Sequence, residues 1–184
     1  MKHSITDCGK DQPDHSQDPH VPYMQMALRE AQRAADANEV PTGCVIIYHP
    51  PDGGRDRVVA RAHNQVETLK DPTAHAEMIA ITQAAAALGD WRLTHTTLYV
   101  TKEPCAMCAG AIVLARIPDL VFGVPDPARG GAVSVFQIVE HPALISNCRV
   151  TAGILESDCR NMLQSFFRHK RQLNSKRITR ANES

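Results

Sequence analysis

Hydrophobic positions change period several times along the chain. Between Tyr23 and Asn38, the residues Met24, Ala27, Leu28, Ala31, Ala34 and Ala35 recur near every 3.6 positions, with no Gly or Pro among them. That spacing predicts an amphipathic helix. Glu39-Val40-Pro41-Thr42-Gly43 ends it. Residues 44–48 are continuously apolar, the pattern of a buried strand. Pro50-Pro51-Asp52-Gly53-Gly54 is a turn signal. Residues 57–63 are then expected to pair back as the second arm of a hairpin, closed by Asn64.

The rest of the chain alternates strand and helix. Asp71-Pro72-Thr73 opens a helix, with Asp71 or Thr73 as its cap, and Gly89 stops it after Leu88. A strand follows at 97–101. Pro104 opens the next helix, which ends near Arg116, before Pro118. Residues 120–123 form a fourth strand. Residues 124–147 are loop-rich, with a short apolar piece at 133–139. Residues 148–151 form a fifth strand, and a long helix runs from Ile154 to about Leu173. A hairpin followed by strand–helix alternation predicts a three-layer α/β/α domain around a mixed five-stranded sheet.

Residues 1–20 are polar and have almost nothing to bury. His3, His15 and His20 suit metal binding or, more simply, a disordered N-terminal extension. The expected organisation is an extension at 1–20, one domain at 21–174 and a basic tail at 175–184. No apolar run reaches the roughly 20 residues of a membrane span. The N-terminus lacks the apolar stretch of a secretory signal. The six Cys follow no regular framework. They suit a reducing cytoplasm better than an exported disulfide scaffold.

Composition adds two constraints. Aromatic residues are only 4% of the chain, so Ala, Val, Ile and Leu must build the core. Formal net charge is zero, so any polyanionic partner must meet a local patch. One exists: Arg160, Arg168, Lys170, Arg171, Lys176, Arg177 and Arg180 cluster in the last helix and tail. A solvated helix face is the ordinary reading; contact with RNA phosphates is the functional one. Phe166 and Phe167 stand in the same stretch, for core packing or, less readily, for base stacking.

The chemistry lies in two halves. One is Asp71-Pro72-Thr73-Ala74-His75-Ala76-Glu77; the other is Glu103-Pro104-Cys105-Ala106-Met107-Cys108. His75, Cys105 and Cys108 are three ligands, one fewer than tetrahedral zinc takes. A vacant fourth position marks a catalytic zinc rather than a structural one. Cys105 and Cys108 share a helix face in a first turn, where the helix dipole favours thiolate. His75 falls in the first turn of another helix. Alone, Cys-x-x-Cys fits a redox pair or half of a structural site. Joined, His-x-Glu and Pro-Cys-x-x-Cys form the signature of the zinc nucleobase deaminases. Glu77 then moves protons between water, ring and leaving ammonia. Cys44 could approach the pocket or be a small buried residue. Asn64 could hold a base or ribose edge, or be a plain turn residue.

Beyond these motifs the chain resembles the bacterial tRNA-specific adenosine deaminases, within the cytidine/deoxycytidylate deaminase superfamily. The resemblance runs through Glu39-Val40-Pro41, 71–77, 97–110, Arg116-Ile117, Val121-Phe122-Gly123, Asp126, Gly153-Ile154-Leu155 and Phe166-Phe167-Arg168. It implies a cytidine-deaminase-like fold and one zinc per subunit, held by His75, Cys105 and Cys108. It implies Glu77 as proton shuttle, Asn64 at the substrate position, and a homodimer whose pockets are completed near the partner. The implied reaction is deamination of adenosine to inosine at the wobble position of a tRNA anticodon stem-loop. Three places depart from the pattern. Ala35 and Asn38 replace larger or basic side chains, Ile145-Ser146-Asn147 replaces Asn-His-Arg, and Lys102 replaces an apolar residue. Rival readings are a deaminase of free guanine or cytosine using the same site, and an idle RNA-binding subunit. An idle subunit has no use for Glu77.

Overall fold

The computed structural model describes residues 18–144 and 148–182. Ten elements follow in order: α1 (Val21–Asp36), β1 (Gly43–Tyr48), β2 (Arg57–His63), α2 (Val66–Leu69), α3 (Ala76–Leu88), β3 (Thr96–Lys102), α4 (Ala106–Leu114), β4 (Asp119–Val124), β5 (Arg149–Ala152) and α5 (Glu156–Asn182). The sheet order is β2-β1-β3-β4-β5. β1 is antiparallel to β2 and β3, while β3, β4 and β5 run parallel. The expected mixed five-stranded sheet is what forms.

Continuous apolar strands make sense because both faces are covered. Side chains alternate between faces, so Ile46, Leu98, Val100, Leu120 and Phe122 join a core with Ala80, Ala84 and Ile112 of α3 and α4. Val45, Ile47, Tyr99 and Val121 turn the other way, to Met24 and Ala27 of α1 and Cys159 of α5. Small residues set the layer spacing. A Cβ on Gly43 would lie 2.0 Å from the Ala27 carbonyl oxygen, and one on Gly123 would lie 2.4 Å from Cys159 Sγ. Thus α1 rests directly on β1, and α5 on β4.

Several boundaries differ from the expectation. α1 begins at Val21, and residues 18–20 lead into it rather than into an extension. His20 places Nδ1 2.9 Å from the Tyr99 hydroxyl. Residues 1–17, including His3 and His15, lie outside the described residues, as does the departure at 145–147. α2 was not legible at all. α3 starts at Ala76, so neither Asp71 nor Thr73 caps it. Asp71 instead accepts hydrogen bonds from the Thr73 backbone N–H (2.8 Å) and hydroxyl (2.7 Å), which closes a local turn. The backbone of α5 continues to Asn182, through most of the stretch expected as a tail.

Candidate active site

His75 and Cys105 are each the residue before a helix. Both are extended, with ψ of 152° and 173°, at the N-terminal ends of α3 and α4. The expectation placed them inside the first turns; each stands one step outside. Two positions apart, His75 and Glu77 would not share a face of one helix; here the first is extended and only the second is helical. β2 and β3 flank β1, each antiparallel to it, and so run in the same direction. The loops leaving β2 and β3 put both helix starts at one end of the sheet.

Cys105 Sγ lies 3.6 Å from His75 Nδ1, Cys108 Sγ lies 3.4 Å from the same nitrogen, and the sulfurs are 3.7 Å apart. For zinc bonds of about 2.3 Å to sulfur and about 2.0 Å to nitrogen, tetrahedral angles separate two sulfurs by about 3.8 Å and sulfur from nitrogen by about 3.5 Å. The three donors therefore outline one face of a tetrahedron of the right size for a metal ion. Among the described residues this is the group of three His, Cys or acidic side chains that converges so closely.

Electrostatics agree with that reading. The hydrogen bond shared with Cys108 holds the Cys105 thiol down to about 3, against its burial and with help from His75. The same bond, then burial and the nearby Glu77 charge, push Cys108 up. His75 is raised chiefly by its bond to Cys105. The three groups compete for a proton in a space where a cation can replace it. Glu77 is 3% exposed. Burial raises its carboxyl above the usual 4.5, although His75 and a hydrogen bond with Cys108 oppose this. A carboxyl so raised holds a proton more readily than a free one, as a group that takes and returns protons must.

His75, Glu77 and Cys105 open onto a cavity of about 240 Å³ that Asn64 also lines. Asn64 is buried, and its Nδ2 donates to Glu39 Oε2 at 3.0 Å. Glu39 further accepts the backbone N–H groups of Glu67 (3.1 Å) and Thr68 (2.6 Å). One carboxylate thus ties the α1–β1 connection, Asn64 and α2 together. The sequence showed Glu39 only as the end of a helix. Glu103, Lys102, Asp126, Arg129 and Phe167 also reach this pocket. Lys102 meets Asp126 and Glu103 meets Ser134, partners too far away in the chain for any local pattern to reveal. Phe167, half exposed, contributes to the pocket wall rather than to the core. Cys44 is fully buried within β1, where burial and the Glu77 charge raise its thiol. It is the small core residue, not a pocket group.

A family model for MafB19-like deaminases matches residues 19–171. A Streptococcus pyogenes (serotype M18) protein named tRNA-specific adenosine deaminase is 45% identical over 150 residues, covering 82% of this chain and 91% of its own. This chain belongs to the tRNA-specific adenosine deaminase family. A solved structure from a study of A-to-I editing by tRNA:A34 deaminases at the wobble position superposes with a TM-score of 0.71. Its identity is 42%, covering 77% of this chain and 99% of that one. The sheet of this deaminase is accordingly the cytidine-deaminase-like one. A guanine deaminase structure from Bacillus subtilis is 36% identical, with a TM-score of 0.51 over 58% of this chain and 64% of that one.

Proposed function

We propose that this chain is a zinc-dependent hydrolase that converts adenosine to inosine at the wobble position of a tRNA anticodon stem-loop. The carrying observation is the 3.4–3.7 Å triangle of His75 Nδ1, Cys105 Sγ and Cys108 Sγ with the buried Glu77 beside it. In this reading His75, Cys105 and Cys108 hold one zinc per subunit. Zinc in such a set supplies Lewis acidity that lowers the pKa of a water to roughly 7.

The chain's own groups do the rest. Glu77 takes a proton from the attacking water and delivers it to the purine ring nitrogen. The water oxygen bonds to the amine-bearing carbon, and the amine leaves as ammonia after Glu77 has passed it the second proton. Water and adenosine thus become inosine and ammonia. Asn64, its amide oriented by Glu39, holds the base edge. The exposed basic residues Arg168 and Arg171 of α5 meet the phosphates of the stem-loop. Leu114, Val133, Val135 and Phe136 leave large apolar side chains exposed, which supports a homodimer. No helix among the described residues is long and apolar enough to cross a membrane, and a tRNA substrate fits a cytoplasmic enzyme.

Mass spectrometry of an adenosine-containing anticodon stem-loop, incubated with the zinc-loaded protein, tests the reading. Inosine is expected at the wobble position alone, with free guanine, cytosine and adenosine left intact. Conversion of the free bases without conversion of the stem-loop would assign the site to the free-base reaction instead.

A further inference from the structure

Lys102 is the last residue of β3, opposite Val124 of β4. Its Nζ lies 2.6 Å from Asp126 Oδ2, with the lysine side chain 27% exposed and the aspartate 9%. The other Asp126 oxygen accepts the Ala128 N–H at 3.1 Å. Asp126 therefore has partners on both oxygens without any substrate. Lys102 does not: an ammonium carries three donors, and Asp126 is the ion-pair partner found for it among the described residues. Lys102 also lines the same cavity as Glu77.

The surrounding charge makes this position matter. Glu39, Glu67, Glu77, Glu103 and Asp126 all border the cavity, against Lys102 and Arg129 as its lysine and arginine cations. Glu67 is exposed and the other four are buried, so a phosphodiester strand that presents a base to Glu77 approaches a pocket with more carboxylates than lysine and arginine cations. Lys102 is three-quarters covered, so solvent and salt screen it less than the exposed arginines of α5.

We infer that Lys102 binds a backbone phosphate of the nucleic-acid strand next to the target nucleotide, using donors that Asp126 leaves over. This rests on the deaminase reading above for the location of the target base. The competing role is narrower: Lys102 merely masks the Asp126 charge. The two roles separate in a double-mutant cycle.

The experiment measures binding of a fluorescently labelled anticodon stem-loop to the zinc-loaded full chain by anisotropy, across a salt series. Four proteins are compared: wild type, Lys102→Met, Asp126→Asn and the double variant. Lys102→Met is expected to weaken binding about fivefold at physiological salt and to reduce the log–log salt slope by about 0.7 to 0.9. Asp126→Asn releases Lys102 and is expected to bind more tightly with the slope retained. The double variant should remain as weak as Lys102→Met, with the same reduced slope. Recovery of wild-type affinity and slope in the double variant would show that Lys102 only masks Asp126 and would overturn the proposal, as would an unchanged slope in Lys102→Met. Lys102→Arg, expected to keep the slope, guards against a folding defect in the methionine variant. Inosine formation by the wild type on the same oligonucleotide is scored separately. Failure there sinks the deaminase reading, whereas the salt slopes alone judge Lys102.

Discussion

Ser134 donates to Glu103 twice, through its backbone N–H at 2.8 Å and through its hydroxyl. The N–H groups of Val133 and Asp126 reach the same carboxylate, each at 2.8 Å. Gly130 sits so close that a Cβ there would come within 2.4 Å of it. Glu103 thus fastens both ends of the 126–134 segment after β4, which carries Asp126 and Arg129 to the pocket. Glu103→Ala would strand three N–H groups and is expected to cost about 3 kcal/mol or more, read from urea unfolding. Gly130→Ala should lower stability through the same contact. A Glu103→Ala protein as stable as wild type would remove the carboxylate from this role.

Acid should loosen the same clamps. Burial raises the Glu103 carboxyl, but Ser134 and the N–H groups of Asp126 and Val133 outweigh it and hold the group below its usual 4.5. Burial likewise opposes, without reversing, the lowering of Glu39 by Glu67, Thr68 and Asn64. A carboxyl lowered by folding is protonated first in the unfolded chain. Its stabilisation is complete above the unfolded value and is lost as pH falls through the folded one. Unfolding free energy should therefore begin to fall near pH 4.5 and keep falling below it. The Glu39→Gln/Glu103→Gln protein, starting less stable, should show a shallower decline; an identical decline would assign the acid sensitivity to other groups.

Glu77 and the three donors should separate in their effects. Glu77→Gln keeps the imidazole and both sulfurs, so bound zinc measured by elemental analysis should remain near one per subunit. Turnover should drop by about 10² to 10⁴, the range of a lost acid–base group. Cys108→Ser, in contrast, should lose both zinc and activity. Substantial inosine formation by Glu77→Gln would refute its role.

The basic face of α5 is exposed at Arg168 and Arg171, while Lys170 lies 5.4 Å from the Phe166 ring. Changing all three to Gln leaves the apolar face of the helix in place. The salt slope of stem-loop binding should fall by about 2 to 3. An unaltered slope would return these residues to the solvated face that a charge run ordinarily forms.

The strands were legible because apolar runs bounded by Gly and Pro leave few alternatives, and β2 was read to the residue. The convergence of His75, Cys105 and Cys108 was legible because His75-x-Glu77 and Cys105-x-x-Cys108 are short-range patterns tied to a reaction. Helix starts were less so. Asp71 and Thr73 are good caps by type, yet they bond each other and leave the helix start to His75. α2 is four residues long, too short for any period to appear.

Residue type and near-neighbour spacing singled out the candidate ligands, the proposed proton carrier and the alternation of layers, since those depend on chemistry and on period. Only the tertiary structure decided that Glu39 would hold Asn64, that Glu103 would hold Ser134 and that Lys102 would meet Asp126. The members of each pair stand more than twenty residues apart, brought into contact by sheet order and loop path. Hydrogen-bond partners at that separation leave no periodic trace, because a buried carboxylate is specified by what closes around it rather than by its neighbours in the chain.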